Sequence, residues 1–394
     1  MNRVCSIFSQ LLQLFPRAEF QRAVKDHKAE RHARGFTSWG QFVAMLFCQL
    51  GRAHSLREIC GGLACCEGKL KHLGIPVAPK RSTLACANEH RPWQLYQAVF
   101  EQLLERARQV VCAQGGPKKF RFKNKLMSLD GSIIDRSVSL FDWAKFRRTK
   151  GAIKLHLLLD HDGYLASFAV VTEGKMSELK VARSLQFEPG TILVIDSGYI
   201  DYGWFARLTR QEVWFVTRMK ENAACVVKEE FAVPQNRNVL KDQLIYFPSQ
   251  AKAGEEPCLF RRVEIRDPDK QESMVFLTNL LGFGATTIAA IFKDRWQVEL
   301  FFKAIKQNLK IKTFVGTSAN AVKTQVWAAL IAILMLKYLQ LKSKFDWSLS
   351  NLIALLRQQL FVYRDLYQWL DDPFQAPPAL EGVHDGQLVL ALEG

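Results

Sequence analysis

At Gly115-Gly116-Pro117 the apolar rhythm of the chain changes, and a chain that changes rhythm there cannot fold as one class of secondary structure. Upstream, hydrophobic residues recur at helical spacing. Trp39, Phe42, Val43, Leu46, Phe47 and Leu50 follow the i, i+3, i+4 pattern, and Gly51 marks an end. Ser55-Leu56-Arg57-Glu58 has the capping-box pattern, in which the serine hydroxyl and the glutamate carboxylate satisfy each other's orphan amides, so a second helix opens after a short turn. Ser82 can cap another helix, and Pro92 suits the first turn of a long one from Trp93 to about Cys112. The pattern predicts an all-helical segment over residues 1–117. Its helix-turn-helix pair is a shape that can enter a DNA groove, although such pairs also occur in proteins that never touch DNA.

Downstream the rhythm is that of strands. Residues 126–129, 153–159, 164–171, 191–195 and 213–217 are aliphatic runs of strand length and predict a mixed sheet. His161-Asp162-Gly163 is a tight turn between the second and third. Asp160 and Asp162 lack the other ligands of a calcium loop. Residues 219–283 carry Pro234, Pro248, Pro257 and Pro268 among short strand-like runs at 260–265 and 274–277, which predicts a β-rich insertion. Helical spacing returns from Thr286, and a long helix capped by Ser318 runs from Ala319 to about Leu341. The expected divisions are therefore 1–117, a first part of the core at 118–218, the insertion at 219–283, a second part of the core at 284–345, and a helical segment with an acidic tail at 346–394.

The longest apolar run, residues 326–336, ends at Lys337 and falls short of the roughly 20 residues that span a bilayer. The first 14 residues lack a secretory pattern, so a cytoplasmic location and no membrane partner are expected. The nine cysteines sit mostly in apolar helical surroundings, as reduced thiols do. Cys60, Cys65, Cys66 and His72 lack a second paired-ligand knuckle, so no zinc is assigned.

Charge is unevenly spread. Up to Lys125 there are 21 Lys or Arg against 8 Asp or Glu, so +13 of the formal +16 lies in the first third. Residues 301–350 hold eight Lys and one Asp, whereas the chain beyond Arg364 has six acidic residues and no Lys or Arg. Two separated basic regions fit a phosphate backbone, because each neutralised phosphate releases condensed counterions.

Three carboxylates stand out against that charge. Asp130 follows the run 126–129 and Asp196 follows 192–195, so two acids emerge at strand ends of one sheet, where sites gather. Residues 292–310 are strongly helical. At about 100° per residue, Phe292, Arg295, Glu299 and Lys306 fall within one stripe about 60° wide, while Val298, Phe301, Ile305 and Leu309 form a separate apolar face. Three carboxylates beside a polyanionic substrate call for a divalent metal. Hard oxygen donors favour Mg²⁺, with Mn²⁺ able to substitute, and paired ions can activate a water or 3′-hydroxyl for in-line displacement. The eight histidines form no recognised catalytic pattern, and no Walker-type loop supports ATP use.

This arrangement resembles the DDE transposases of the insertion-sequence-4 group, with their Tyr-x2-Arg-x3-Glu-x6-Lys signature. Phe292, Arg295, Glu299 and Lys306 meet the spacing, and residues 295–317 are similar to that family's most recognisable block. Leu129-Asp130-Gly131-Ser132, residues 140–151 and Ile195-Asp196-Ser197-Gly198-Tyr199 resemble the other blocks, in order. Gly35, Phe36, Trp39 and residues 55–59 resemble the helical domain that often precedes this core. The resemblance implies an α/β, RNase H-like catalytic core with a β-rich insertion, preceded by an all-helical DNA-binding domain and followed by C-terminal helices.

By the same resemblance, Asp130, Asp196 and Glu299 are both the catalytic residues and the Mg²⁺ ligands. The implied reaction is cut-and-paste transposition: water cleaves the transposon end, a hairpin can form, and the freed 3′-hydroxyl joins target DNA. Arg295 and Lys306 are expected to hold DNA phosphates. Lys303, Lys310, Lys145, Arg147, Arg148 and Lys150 are further candidate DNA contacts. The partners are transposon-end and target DNA, held by a homodimer. Two positions depart from the family pattern: Phe292 stands for the signature tyrosine, and Ser197 stands where many relatives carry arginine. Two other readings stay open: a nuclease of the same fold that does not join strands, and a DNA-binding regulator with a decayed core.

Overall fold

The helical half forms as its capping residues require. A computed structural model describes residues 5–31, 33, 35–66, 68–114, 119–135, 152–233, 238–250, 257–266, 272–309 and 314–375. Among the described residues six α-helices precede residue 115: α1 (Ile7–Leu12), α2 (Arg17–Asp26), α3 (Ser38–Leu50), α4 (Leu56–Ala64), α5 (Arg81–His90) and α6 (Gln94–Gln114). Thr37 caps α3 by accepting from the Gly40 amide, and Ser55 caps α4 by accepting from the Glu58 amide. The box at α4 differs in one detail. The Glu58 carboxylate accepts from the His54 amide, one residue before the cap, at 2.8 Å. Ser82 caps nothing, because α5 starts one residue earlier, behind Lys80.

The strands form one nine-stranded mixed sheet. They are β1 (Leu126–Asp135), β2 (Ala152–Asp160), β3 (Leu165–Glu173), β4 (Ile192–Ile195), β5 (Trp214–Arg218), β6 (Val226–Glu230), β7 (Val239–Tyr246), β8 (Phe260–Arg266) and β9 (Ser273–Thr278). Their order is β3-β2-β1-β4-β5-β9-β8-β7-β6. β1 to β3 are an antiparallel meander, β4 and β5 run parallel to β1, and β9 closes antiparallel on β5. The strands between 226 and 278 therefore extend the main sheet rather than building a second one. Of these, the sequence had signalled only β8 and β9. β6, exposed throughout, ends the sheet with Lys228, Glu229 and Glu230, charges of the kind that keep an edge from pairing with another chain.

Seven further helices are described: α7 (Glu178–Ser184), α8 (Tyr202–Arg210), α9 (Ala285–Asp294), α10 (Trp296–Asn308), α11 (Ala319–Lys342), α12 (Leu349–Gln359) and α13 (Leu366–Asp371). The helical stretch expected to run unbroken through Arg295 is divided there into α9 and α10. Strand alternation assigns the faces. Met127 and Leu129 of β1 and Leu193 and Ile195 of β4 pack with Phe205 and Leu208 of α8, whereas Leu126, Ile192 and Val194 pack with Ile288 and Ile291 of α9. Leu155, Leu157 and Leu159 of β2 join a large core shared with α1 to α6 and α10 to α13. At its centre lies α11, which is long and apolar enough by composition to cross a membrane. However, 83% of its apolar window is buried inside the molecule, as in a core helix.

Candidate active site

Leu129 of β1 pairs with Ile195 of β4 in parallel register, and there β4 stops. Asp196 follows at once, at a strand end as expected. Asp130 does not sit at a strand end: β1 continues to Asp135 against β2, so Asp130 lies within its strand where its parallel neighbour ends. The two aspartates share a local device. Each Oδ1 accepts the backbone N–H of the following residue at 2.8 Å, from Gly131 and from Ser197 respectively. Asp196 is exposed, whereas the Asp130 side chain is only 20% exposed.

Glu299 arrives on α10. Burial of Val298, Phe301, Ile305 and Leu309 fixes the rotation of that helix and turns Arg295, Glu299 and Lys306 toward β1. Arg295 joins the two elements, with its guanidinium 2.6 Å from Glu299 Oε1 and 4.0 Å from Asp130 Oδ2. Asp130, Ser132, Glu299, Lys303 and Lys306 line one open cleft of about 350 Å³. Lys306 Nζ donates to Ser132 Oγ at 2.6 Å, and Lys303 is exposed at the cleft. Phe292 was expected on this stripe but belongs to α9. There it packs on Phe276, with ring centroids 5.1 Å apart, and reaches the site only through Arg295, whose guanidinium lies 5.4 Å from its ring centre. Lys310, Lys145, Arg147, Arg148 and Lys150 lie outside the described residues.

The donor chemistry fits a hard divalent cation. Asp130, Asp196 and Glu299 offer only oxygen. The Asp130 carboxyl is pushed up to about 6 by its burial, against the Gly131 amide and Arg295, which lower it; the charges of Glu178 and Asp196 add to the rise. Among the described residues no three carboxylate, imidazole or thiol side chains converge closely enough to grip an ion unaided, and Arg295 stands between Asp130 and Glu299.

Several residues around the site carry no signal in the sequence. Glu178 of α7 fills the space beside Gly131: a Cβ there would stand 3.0 Å from Glu178 Oε1, and one at Gly198 would stand 3.5 Å from Oε2. Lys154 Nζ pairs with Glu178 Oε1 at 2.6 Å. Among the described residues the buried Tyr199 hydroxyl has no hydrogen-bond partner, and burial together with Glu178, Asp130 and Asp196 raises its pKa. The glycines after Asp130 and Asp196 were legible as motif members, but the carboxylate they admit was not.

Beneath the cleft runs a buried polar chain. Ser128 Oγ lies 2.7 Å from His161 Nε2, and His161 Nδ1 lies 2.6 Å from Asp294 Oδ2. Lys119 Nζ donates to Asp294 Oδ1 at 2.5 Å. Burial would raise the Asp294 carboxyl, but its bonds from His161 and Lys119 prevail and hold it below the usual range. In the sequence His161 reads as turn punctuation, because a histidine beside Asp-Gly shows nothing of where its ring folds back.

Comparison with known proteins adds a further finding. Residues 126–335 match the model of the transposase DDE domain, and residues 4–76 match a domain of unknown function, DUF4372. A Sinorhizobium fredii protein that bears a transposase name, y4zB, is 28% identical over 314 residues, covering 78% of this chain and 85% of its own. A Geobacillus stearothermophilus protein named as a transposase for the insertion sequence element IS5377 is 29% identical over 245 residues, covering 61% of this chain and 63% of its own. A Synechocystis protein named for the element IS4SA is 24% identical over 182 residues, covering 45% of this chain and 50% of its own.

Proposed function

The chain belongs to the transposase DDE domain family, a DNA-cutting and joining enzyme class, and from the cleft between β1 and α10 we propose that it performs cut-and-paste transposition of an insertion sequence. One observation carries this reading: Asp130 and Glu299 line the same cleft, joined through Arg295, with Asp196 leaving the adjacent strand one residue beyond the Leu129–Ile195 pair. In this proposal those three carboxylates are the catalytic residues. The core is RNase H-like, a reading supported by the order β3-β2-β1-β4-β5, three antiparallel strands followed by two parallel to the first. Assignment to the insertion-sequence-4 group rests on the spacing of Phe292, Arg295, Glu299 and Lys306.

When bound by Asp130, Asp196 and Glu299, Mg²⁺ or Mn²⁺ supplies Lewis-acid stabilisation of the charge that develops on the attacked phosphate. The chain's own residues do the rest. Lys303 and Lys306, on the cleft wall, neutralise backbone phosphates and fix the register of the DNA without reading its sequence. Arg295 holds Glu299 in place and offers a fork-shaped cation to a phosphate oxygen. The N-terminal charge excess lends support to DNA binding by the helical segment, with transposon ends and target DNA as partners and a homodimer holding two ends. A cytoplasmic location goes with a DNA substrate. A hairpin on the opposite strand and joining by the 3′-hydroxyl complete the proposed sequence.

The test is Glu299→Gln, which keeps the shape and removes the charge. Cleavage of a transposon end should fall by on the order of 10³-fold while end binding changes little. Cleavage at the wild-type rate would overturn the assignment. A strand-transfer assay with pre-nicked ends separates a transposase from a nuclease that only cuts.

A further inference from the structure

Ser128, His161 and Asp294 are almost wholly buried and touch no part of the cleft, so they cannot meet DNA. Their placement is nevertheless specific. Ser128 stands two residues before Asp130 on β1, and residues two apart on a strand share a face. Asp294 ends α9, one residue before Arg295 and five before Glu299. His161, from the turn after β2, bridges them at 2.7 and 2.6 Å. A carboxylate has only lone pairs, so His161 Nδ1 donates to Asp294, and Nε2 faces the Ser128 hydroxyl. The strand of Asp130 is thus tied at the cleft to Glu299 of α10, through Arg295, and below it to the last residue of α9, through His161.

We infer that the Ser128–His161–Asp294 chain is a positioning device that sets the separation of Glu299 from Asp130 by fixing where α10 begins relative to β1. The inference rests on the proposed catalytic role of those two carboxylates. Apolar side chains of similar volume would fill the same space at lower desolvation cost, because a buried carboxylate is expensive even when paired. What apolar packing lacks is direction. Helices can slide on a greasy face, whereas two short hydrogen bonds in series allow one register. Such a lock matters at this point, because α9 and α10 meet at Arg295, whose backbone stays helical, so the position of Asp294 sets where α10 and Glu299 begin. Lys119 and Tyr164 brace the same carboxylate from its other side, so Asp294 is held against both the sheet and the segment that follows α6.

The test uses full-length protein with transposon-end DNA and Mn²⁺, reading the single-turnover cleavage rate at saturating DNA, the end-binding constant, and the Mn²⁺ concentration for half-maximal rate. His161→Leu removes both bonds, and His161→Asn restores a donor near the Nδ1 position. A displacement of about 1 Å can cost about 100-fold, so His161→Leu should cleave at least about 30-fold more slowly and need several-fold more Mn²⁺, with end binding unchanged. His161→Asn should recover much of the rate. A folded His161→Leu protein that cleaves within about threefold of wild type overturns the inference, as does a slower one with an unchanged Mn²⁺ requirement, since that is the mark of general loosening. Should His161→Leu fail to fold, Ser128→Ala decides by the same readouts, since it removes only the strand-side hydroxyl. Asp130→Asn keeps the two ideas apart: if it still cleaves, the proposed site fails, whatever His161 does.

Discussion

The raised carboxyl of Asp130 makes the site a stability cost that can be measured. Its folded-state value of about 6 lies above that of an unfolded aspartate, so between about pH 4 and pH 6 the folded chain holds the extra proton. Stability therefore falls as pH rises through that window, and the whole penalty is present at pH 7. In divalent-free buffer Asp130→Asn should be more stable than wild type at pH 7, by about 1 to 3 kcal/mol in urea unfolding, and should lose that advantage near pH 4. Equal midpoints at pH 7 would remove the argument. The strand end before Asp196 and the helix that carries Glu299 were legible from local runs and spacing, whereas the place of Asp130 inside its strand was not. Glu178, His161 and Asp294 were not, because each acts across the fold: Glu178 enters a space left by two glycines, and Asp294 is neutralised by a lysine 175 positions earlier.

Elements followed local chemistry closely where it was strong. Thr37, Ser55 and Ser318 all cap helices, and each accepts the amide three residues on. Local pattern failed where tertiary partners set the limit. β1 runs past Asp130 because β2 continues beside it, a pairing that residues 126–129 do not announce. The break at Arg295 was likewise hidden, since its backbone stays helical and the i, i+4 pair with Glu299 is still made. On α11 the expected span to about Leu341 is met by an end at Lys342; what the sequence does not show is the setting of Lys337, whose ammonium burial lowers to about 8, with the Tyr164 ring 5.8 Å away. A lysine depressed in this way is charged at a cost below about pH 8, a cost relieved as pH rises toward the unfolded value of about 10.4. Lys337→Met should raise stability at pH 7 by about 1 to 3 kcal/mol, with the gain fading toward pH 10 in thermal melts. A destabilised variant would mean that the ammonium has a partner worth more than its burial costs.

At the scale of the whole molecule, the change of rhythm at residues 115–117 marks a change of element type but not a boundary in the core. α3, α5 and α6 all pack on α11, which follows the sheet in the chain. The first helix is tied to the last segment as well: the Ile7 and Phe8 amides donate to the carbonyls of Val362 and Leu360, and the Gln10 side chain donates to the Arg364 carbonyl. Composition and periodicity cannot show this, because they report what each stretch prefers and not which distant stretch covers it. The consequence concerns autonomy. Without α11 the helical half would expose the face of α6 from which Phe100 packs edge-on against Trp327, with ring centroids 5.4 Å apart, and a buried side chain of that size contributes roughly 1.5 to 3 kcal/mol. A fragment ending at Gln114 should therefore show no cooperative melt, whereas calorimetry of the full chain should show the N-terminal helices unfolding together with α11 to α13. An isolated fragment that melts cooperatively near the full-chain temperature would mean that the helical half folds alone, and that its seam with α11 is a docking interface capable of opening when DNA binds.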